Sequence, residues 1–205
     1  MLSLDPVSLL VTLPIILLSL AFHEFSHAYV AVQLGDRTPK WAGRLTLNPL
    51  AHLDPVGTIV LVITGRYGWA KPVPINPGNF RDRDAGTVMV SLAGPLSNLV
   101  LAVALGLVFK AVYGPGLGLS DRALFVLTAI NEGVWINLGL AAFNLLPVPP
   151  LDGSKIVASL VRGRAAQIYY QLEQYSYMIL LLIVATPLAR WILGPIILTL
   201  YRAIM

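Results

Sequence analysis

Two histidines four positions apart with a glutamate between them, His23-Glu24-Phe25-Ser26-His27, form the part of this chain most able to do chemistry. On a helix, positions i and i+4 stack on one face, so both imidazoles can bind one metal ion while Glu24 serves the same opening as a base. A metal held this way activates water, so the spacing predicts hydrolysis. A catalytic site needs a third protein ligand and one open position. No further histidine or acid follows at helical spacing, and the third histidine, His52, sits in a Pro-flanked loop. The candidate carboxylates near apolar spans are Glu132, Asp152 and Glu173. Asp152 is best placed, behind the stiff Pro147-Val148-Pro149-Pro150 run and before Gly153, although an Asp-Gly pair is by itself also a cap or turn signal.

The element that carries the motif is unusual for water-consuming chemistry. Between residues 7 and 34, Glu24 is the sole charged side chain, and the stretch is long enough to span a bilayer. An ionisable group there marks a functional site by default; the bland alternative is a chance match in a soluble core helix. Composition argues against that alternative, since 57% of the 205 residues are hydrophobic and 12% charged, about half the charge of ordinary soluble domains. There is no cysteine, so a metal must be held by nitrogen and oxygen. The net charge of +4 comes without a basic helix face or an aromatic RNA-binding signature, and no nucleic-acid partner is expected.

The pattern predicts an all-α polytopic membrane protein in a single domain, with about four to six transmembrane helices. The first runs over about 7–34 and, lacking a basic start and a small-residue cleavage site, is expected to be retained. A loop follows over 35–84, rich in Pro, Gly and charge. Within it the β-branched run 58–63 and the turn signal Gly65-Arg66-Tyr67-Gly68 read as a strand or β-hairpin, either cytosolic or dipping into the membrane beside the site. Apolar spans over 86–113 and 122–146 come next, divided by the Gly-rich turn at 114–118. An Asp-Gly loop over 147–153 and closing helices over 154–205 complete the chain. Placing the long loop and the Lys155, Arg162 and Arg164 segment in the cytosol collects ten basic side chains there, which puts the N-terminus outside. His27 then lies about 12 Å of helix rise below the cytosolic surface.

Several blocks in order resemble the site-2 protease family of intramembrane zinc metalloproteases, peptidase family M50. They are His23-Glu24-x-x-His27; Asn48-Pro49-Leu50-Ala51-His52-Leu53-Asp54-Pro55-Val56-Gly57; Gly68-Trp69-Ala70-Lys71-Pro72-Val73-Pro74-Ile75-Asn76-Pro77; Ala93-Gly94-Pro95-Leu96-Ser97-Asn98; and Asn144 through Asp152-Gly153. The resemblance implies one zinc ion per chain on His23, His27 and Asp152, and Glu24 as the group that moves a proton from the attacking water to the leaving amine. It implies that Asn144 positions substrate or stabilises the oxyanion, a role that competes with that of a helix-end cap. Asn98 and Gly94 read as supports between helices, His52 as a loop anchor or an outer partner of the site, and Trp41 and Trp69 as interfacial residues.

The turn at 114–118 is too short for the PDZ domain of some family members, so a minimal form without PDZ or CBS domains is expected, in a prokaryotic inner or plasma membrane. Its substrates would be single-pass membrane proteins, with a separate regulatory partner as one source of gating. Adding an unwound substrate as an extra strand on 58–63 is the expected mode of engagement. Two other classes fit the pattern less well: a catalytically silent scaffold on the same fold, which intact Glu24 argues against, and a metal transporter, whose polar groups would line a path across several helices.

Overall fold

The computed structural model describes residues 6–64, 69–113 and 120–205, and among these it is mostly helical. Helix α1 (Pro6–Gln33) is followed by the short α2 (Thr38–Trp41), α3 (Pro55–Thr64), α4 (Arg83–Val112), α5 (Asp121–Asn144), α6 (Asp152–Leu160), α7 (Arg164–Glu173), α8 (Ser176–Ala185) and α9 (Leu188–Ile204). Single 3-10 turns form at Pro49–His52 and Pro77–Asn79. The turns read at 65–68 and 114–118 lie outside the described residues.

The long helices begin where their sequences place caps. The Asp82 carboxylate accepts the Ala85 N–H ahead of α4, and the Ser120 hydroxyl accepts that of Ala123 ahead of α5, each satisfying a donor that a helix start leaves unpaired. Asp84 and Asp121 in the first turns and Lys110 in the last turn of α4 complement the helix dipole. Three helices, Leu10–Gln33 within α1, α4 and α5, are long and apolar enough to cross a membrane. A third or less of each is buried within the protein, so their outward faces, with Leu18, Val100, Leu107 and Phe125 exposed, need a nonpolar surround. The protein is a membrane protein. Against an expectation of four to six spans, these three reach spanning length among the described residues.

Helix α4 lies between α1 and α5 and also packs on α6. Helix α9 closes the bundle against α5 and α4. There Trp135 stacks on Tyr201 with ring centroids 4.3 Å apart, the Tyr201 hydroxyl donates to Asn131 Oδ1, and Gly106 leaves room for Ile204. Ala102, Val134 and Leu138 form the buried centre of this contact.

The strand or hairpin expected at 58–63 is not there; those residues belong to α3. Asp54 and Pro55 explain the difference. The Asp54 side chain accepts the Gly57 N–H at 2.8 Å, and Pro55 begins the helix with a φ already suited to it. The capped start outweighs the modest helix penalty of the β-branched residues behind it. No strand occurs among the described residues, and the one β-like pairing is an isolated antiparallel bridge between Leu53 and Ala70. An incoming substrate therefore has no edge at 58–63 to extend, and that expected mode of engagement falls.

Candidate metal centre

His23 and His27 project from one face of α1 into a buried junction with α4 and α6. The Nε2 atoms lie 3.0 Å apart, and Asp152 Oδ2 stands 3.2 Å from that of His23 and 3.1 Å from that of His27. All three residues are buried. Asp152 arrives from 125 positions beyond His27 because the segment after α5 turns tightly into α6. Gly153 makes that turn possible, since a Cβ there would sit 2.2 Å from the Leu145 carbonyl oxygen. Of the three carboxylates considered from sequence, Asp152 alone joins the histidines among the described residues. Glu173 instead lines the outer cavity wall, and Glu132 lies half-buried on α5.

The hydrogen bonds on the far sides of the rings define what the centre can hold. His23 Nδ1 lies 2.7 Å from Asn98 Oδ1. The Asn98 amide nitrogen is committed to the Ser19 carbonyl and to Asn137 Oδ1, so its oxygen must accept, and His23 carries its proton on Nδ1. His27 Nδ1 faces the Val90 carbonyl at 2.7 Å, which can only accept. Both Nε2 atoms therefore present lone pairs toward a carboxylate oxygen. Three lone pairs at this spacing repel unless a positive charge lies between them. Ligands about 2.0–2.1 Å from a tetrahedral ion are separated by about 3.3 Å, close to the observed triangle. The donor set fits zinc.

Two further features complete the frame. Lys155 Nζ contacts Asp152 Oδ1 at 3.2 Å, leaving Oδ2 to the histidines. Gly94 faces the histidines from α4, where a Cβ would meet His27 Nε2 at 2.4 Å and His23 Nε2 at 2.6 Å. Its role is thus more specific than close helix approach, because it vacates the space in which the ligand atoms converge.

Glu24 lines the same cavity, about 530 Å³ in volume, together with the three ligand residues, Asn144, Val73, Ser91 and Lys155. Its Oε2 accepts the Val73 N–H at 3.1 Å. Asn144 ends α5 and donates to the Leu140 carbonyl of its own last turn, as a cap-like residue does, while its side chain borders the cavity. His52 stands apart as a loop anchor, buried, with Nε2 on the Thr46 carbonyl.

Sequence reasoning overlooked the support from Ser19, Asn137 and the Val90 carbonyl. A signal existed for the first two. Ser19 precedes His23 by one i,i+4 step, and Asn137 is an amide in the middle of an apolar span; polar residues in such places hydrogen-bond across helices. The carbonyl carries no sequence signal at all.

Similarity to known proteins identifies the family. The sequence profile described as Peptidase family M50 matches residues 122–186, a stretch that includes Asn144 and Asp152. "Putative zinc metalloprotease YwhC" of Bacillus subtilis (strain 168) is 43% identical over 197 residues, covering 94% of this chain and 88% of the relative. The chain belongs to peptidase family M50. A second relative, "Putative zinc metalloprotease Rip2" of Mycolicibacterium smegmatis, is 33% identical over 183 residues, 85% of this chain and 67% of its own. No solved structure matches significantly. In this M50 protein the α1 motif and Asp152, far apart in sequence, meet at one point.

Proposed function

We propose that this M50 protein is an intramembrane zinc endopeptidase that cleaves the membrane-spanning segments of single-pass proteins. Metalloprotease activity and the zinc ion follow from the family. The observation that carries the intramembrane reading is the burial of His23, His27 and Asp152 at a junction of span-length apolar helices, with Glu24 beside them in one cavity. His27 lies six residues short of the end of α1, about 9 Å of helix rise.

His23 and His27, through Nε2, and Asp152, through Oδ2, are the residues that would hold the ion. Zinc bound there supplies a Lewis acid for the scissile carbonyl and an acidified water as nucleophile. Glu24 acts as the base: with Oε2 held by the Val73 N–H, Oε1 is left to take the water's proton and deliver it to the departing amine. Asn144, at the cavity wall, is suited to orient the substrate backbone or donate to the developing oxyanion. Ser19, Asn98 and Asn137 keep the His23 ring in its metal-binding tautomer.

Helix α9, packed along α5, is read as a fourth span. Counting it, the N- and C-termini share the outer side, and the cavity opens toward the cytosol, where the basic loops collect. The bacterial relatives make a prokaryotic plasma membrane the expected location, and a separate protein partner the expected regulator. The test is cleavage of a panel of single-pass reporters in liposomes by wild type, by Glu24→Gln and by chelator-treated protein. Cleavage lost in both controls, with zinc retained by Glu24→Gln, supports the assignment. Cleavage that persists in Glu24→Gln removes it.

A further inference from the structure

Asp36 is fully buried yet takes no part in the metal centre. An ionised carboxylate in such a place is costly unless its oxygens are fully hydrogen-bonded. Asp36 receives four hydrogen bonds. Two are local, from the Thr38 N–H at 3.0 Å and its hydroxyl at 2.6 Å. The others come from forty and more positions on, from the Asn76 N–H and the Asn79 side-chain amide, each at 2.7 Å. A turn after α1 needs the first pair only. The second pair ties the end of α1, to which Asp36 is fixed by its own N–H on the Ala31 carbonyl, to the segment 71–79.

That segment is held at its other end as well. The Lys71 N–H donates to the His52 carbonyl at 2.8 Å, and Arg44 donates to the Lys71 carbonyl at 3.3 Å. Between these anchors runs Pro72-Val73-Pro74. Proline has no N–H and a fixed φ, so Val73 carries the single donor of a stiff tripeptide, and that donor is the one bound to Glu24 Oε2. A span pinned at both ends by buried groups, with one N–H in its middle aimed at the base, aligns that base.

We infer that Asp36 is a positioning residue for Glu24, acting through the 71–79 segment and the Val73 N–H. The inference rests on the reading of Glu24 as the base. With Asp36 intact, Glu24 keeps one oxygen immobilised and the other presented to the reacting water. With the tie cut, zinc stays bound while the carboxylate samples orientations in which it cannot take the proton.

The test uses the full-length, zinc-loaded protein in detergent or liposomes and compares wild type with Asp36→Asn. In the variant, amide exchange at Val73 is expected to accelerate at least tenfold while that of α1 is unchanged. Zinc content should stay at the wild-type level. With the reporter that wild type cleaves, kcat should fall about 100-fold, the scale of a misplaced catalytic group, while KM moves by less than about twofold. Undisturbed exchange at Val73, unchanged kcat, or loss of zinc and α1 protection together with kcat would overturn the inference. Should Asp36→Asn fail to fold, Asn79→Ala removes one of the four bonds and should shift Val73 exchange and kcat in the same direction. Unimpaired cleavage by Glu24→Gln would instead sink the proposed function, and the exchange result would still report whether Asp36 holds the segment.

Discussion

The Nδ1 atom of His23 lies 2.7 Å from the side-chain oxygen of Asn98, a residue 75 positions away on another helix, and donates its proton to it. Asn98 can accept it because its own amide hydrogens are spent on Ser19 and Asn137. A neutral amide, rather than a carboxylate, thus fixes the tautomer of a metal ligand, and Asp152 remains the one anion among the three ligands.

Replacing Asn98 by alanine leaves His23 free to rotate and strands the buried side chain of Asn137. Zinc affinity is expected to fall about 10–100-fold, with a loss of about 1–3 kcal/mol of stability from the groups left unpaired. Competition with a calibrated zinc chelator and thermal denaturation measure the two effects. Wild-type affinity in Asn98→Ala would show that His23 needs no such partner.

Gly94→Ala places a methyl group 2.4 Å from His27 Nε2. Zinc stoichiometry should drop to below about a tenth of wild type although alanine favours helix. At Gly139, on α5, an added methyl group would meet nothing within 4 Å, so Gly139→Ala should keep its zinc and gain about 0.5–1 kcal/mol. Metal analysis of the purified pair separates crowding at the centre from a general intolerance of larger residues in these helices.

Removal of zinc should lower Tm. The ion binds the folded centre and not the dispersed ligands of the unfolded chain, so saturation at 100 times Kd contributes about 2.7 kcal/mol. Chelator should shift Tm in wild type and in Glu24→Gln equally, and not in His23→Ala. A shift of the same size in His23→Ala would place the stabilising ion elsewhere.

Asp36 makes acid stability depend on one carboxyl. Burial raises it, but hydrogen bonds from Thr38, Asn76 and Asn79 outweigh that and hold it below its ordinary value. A group depressed on folding stabilises the protein above its unfolded pKa, and that contribution is lost as pH falls toward the depressed folded value. Wild type should therefore lose more stability than Asp36→Asn between pH 6 and about pH 3. Parallel pH profiles of Tm for the two proteins would refute the coupling.

Much of the site was legible because its chemistry lies in side-chain types. The His23-Glu24-x-x-His27 spacing and the Asp152-Gly153 pair identify themselves, and Gly94 and Asn98 stand out as a small and a polar residue in an apolar run. The strand misread at 58–63 had β-branched residues in favour of it and the Asp54-Pro55 start against it, and the local cap decided the outcome. Asp36 was overlooked because Gly35-Asp36 after a long helix has the look of an ordinary exit turn; its burial depends on Asn76 and Asn79, which no local pattern connects to it. The contact of Val73 with Glu24 was hidden for the same reason, since a backbone N–H has no letter of its own.

That last point bears on how the two halves of the centre can change over generations. The partner of His23 is a side chain, so one codon change can delete it. The partner of His27 is the Val90 carbonyl, which every residue type supplies, so no single substitution at position 90 removes the acceptor. Drift in the orientation of His27 must come from movement of α4 as a body, and inactivating point mutations that act through ligand support should accumulate on the Asn98 side.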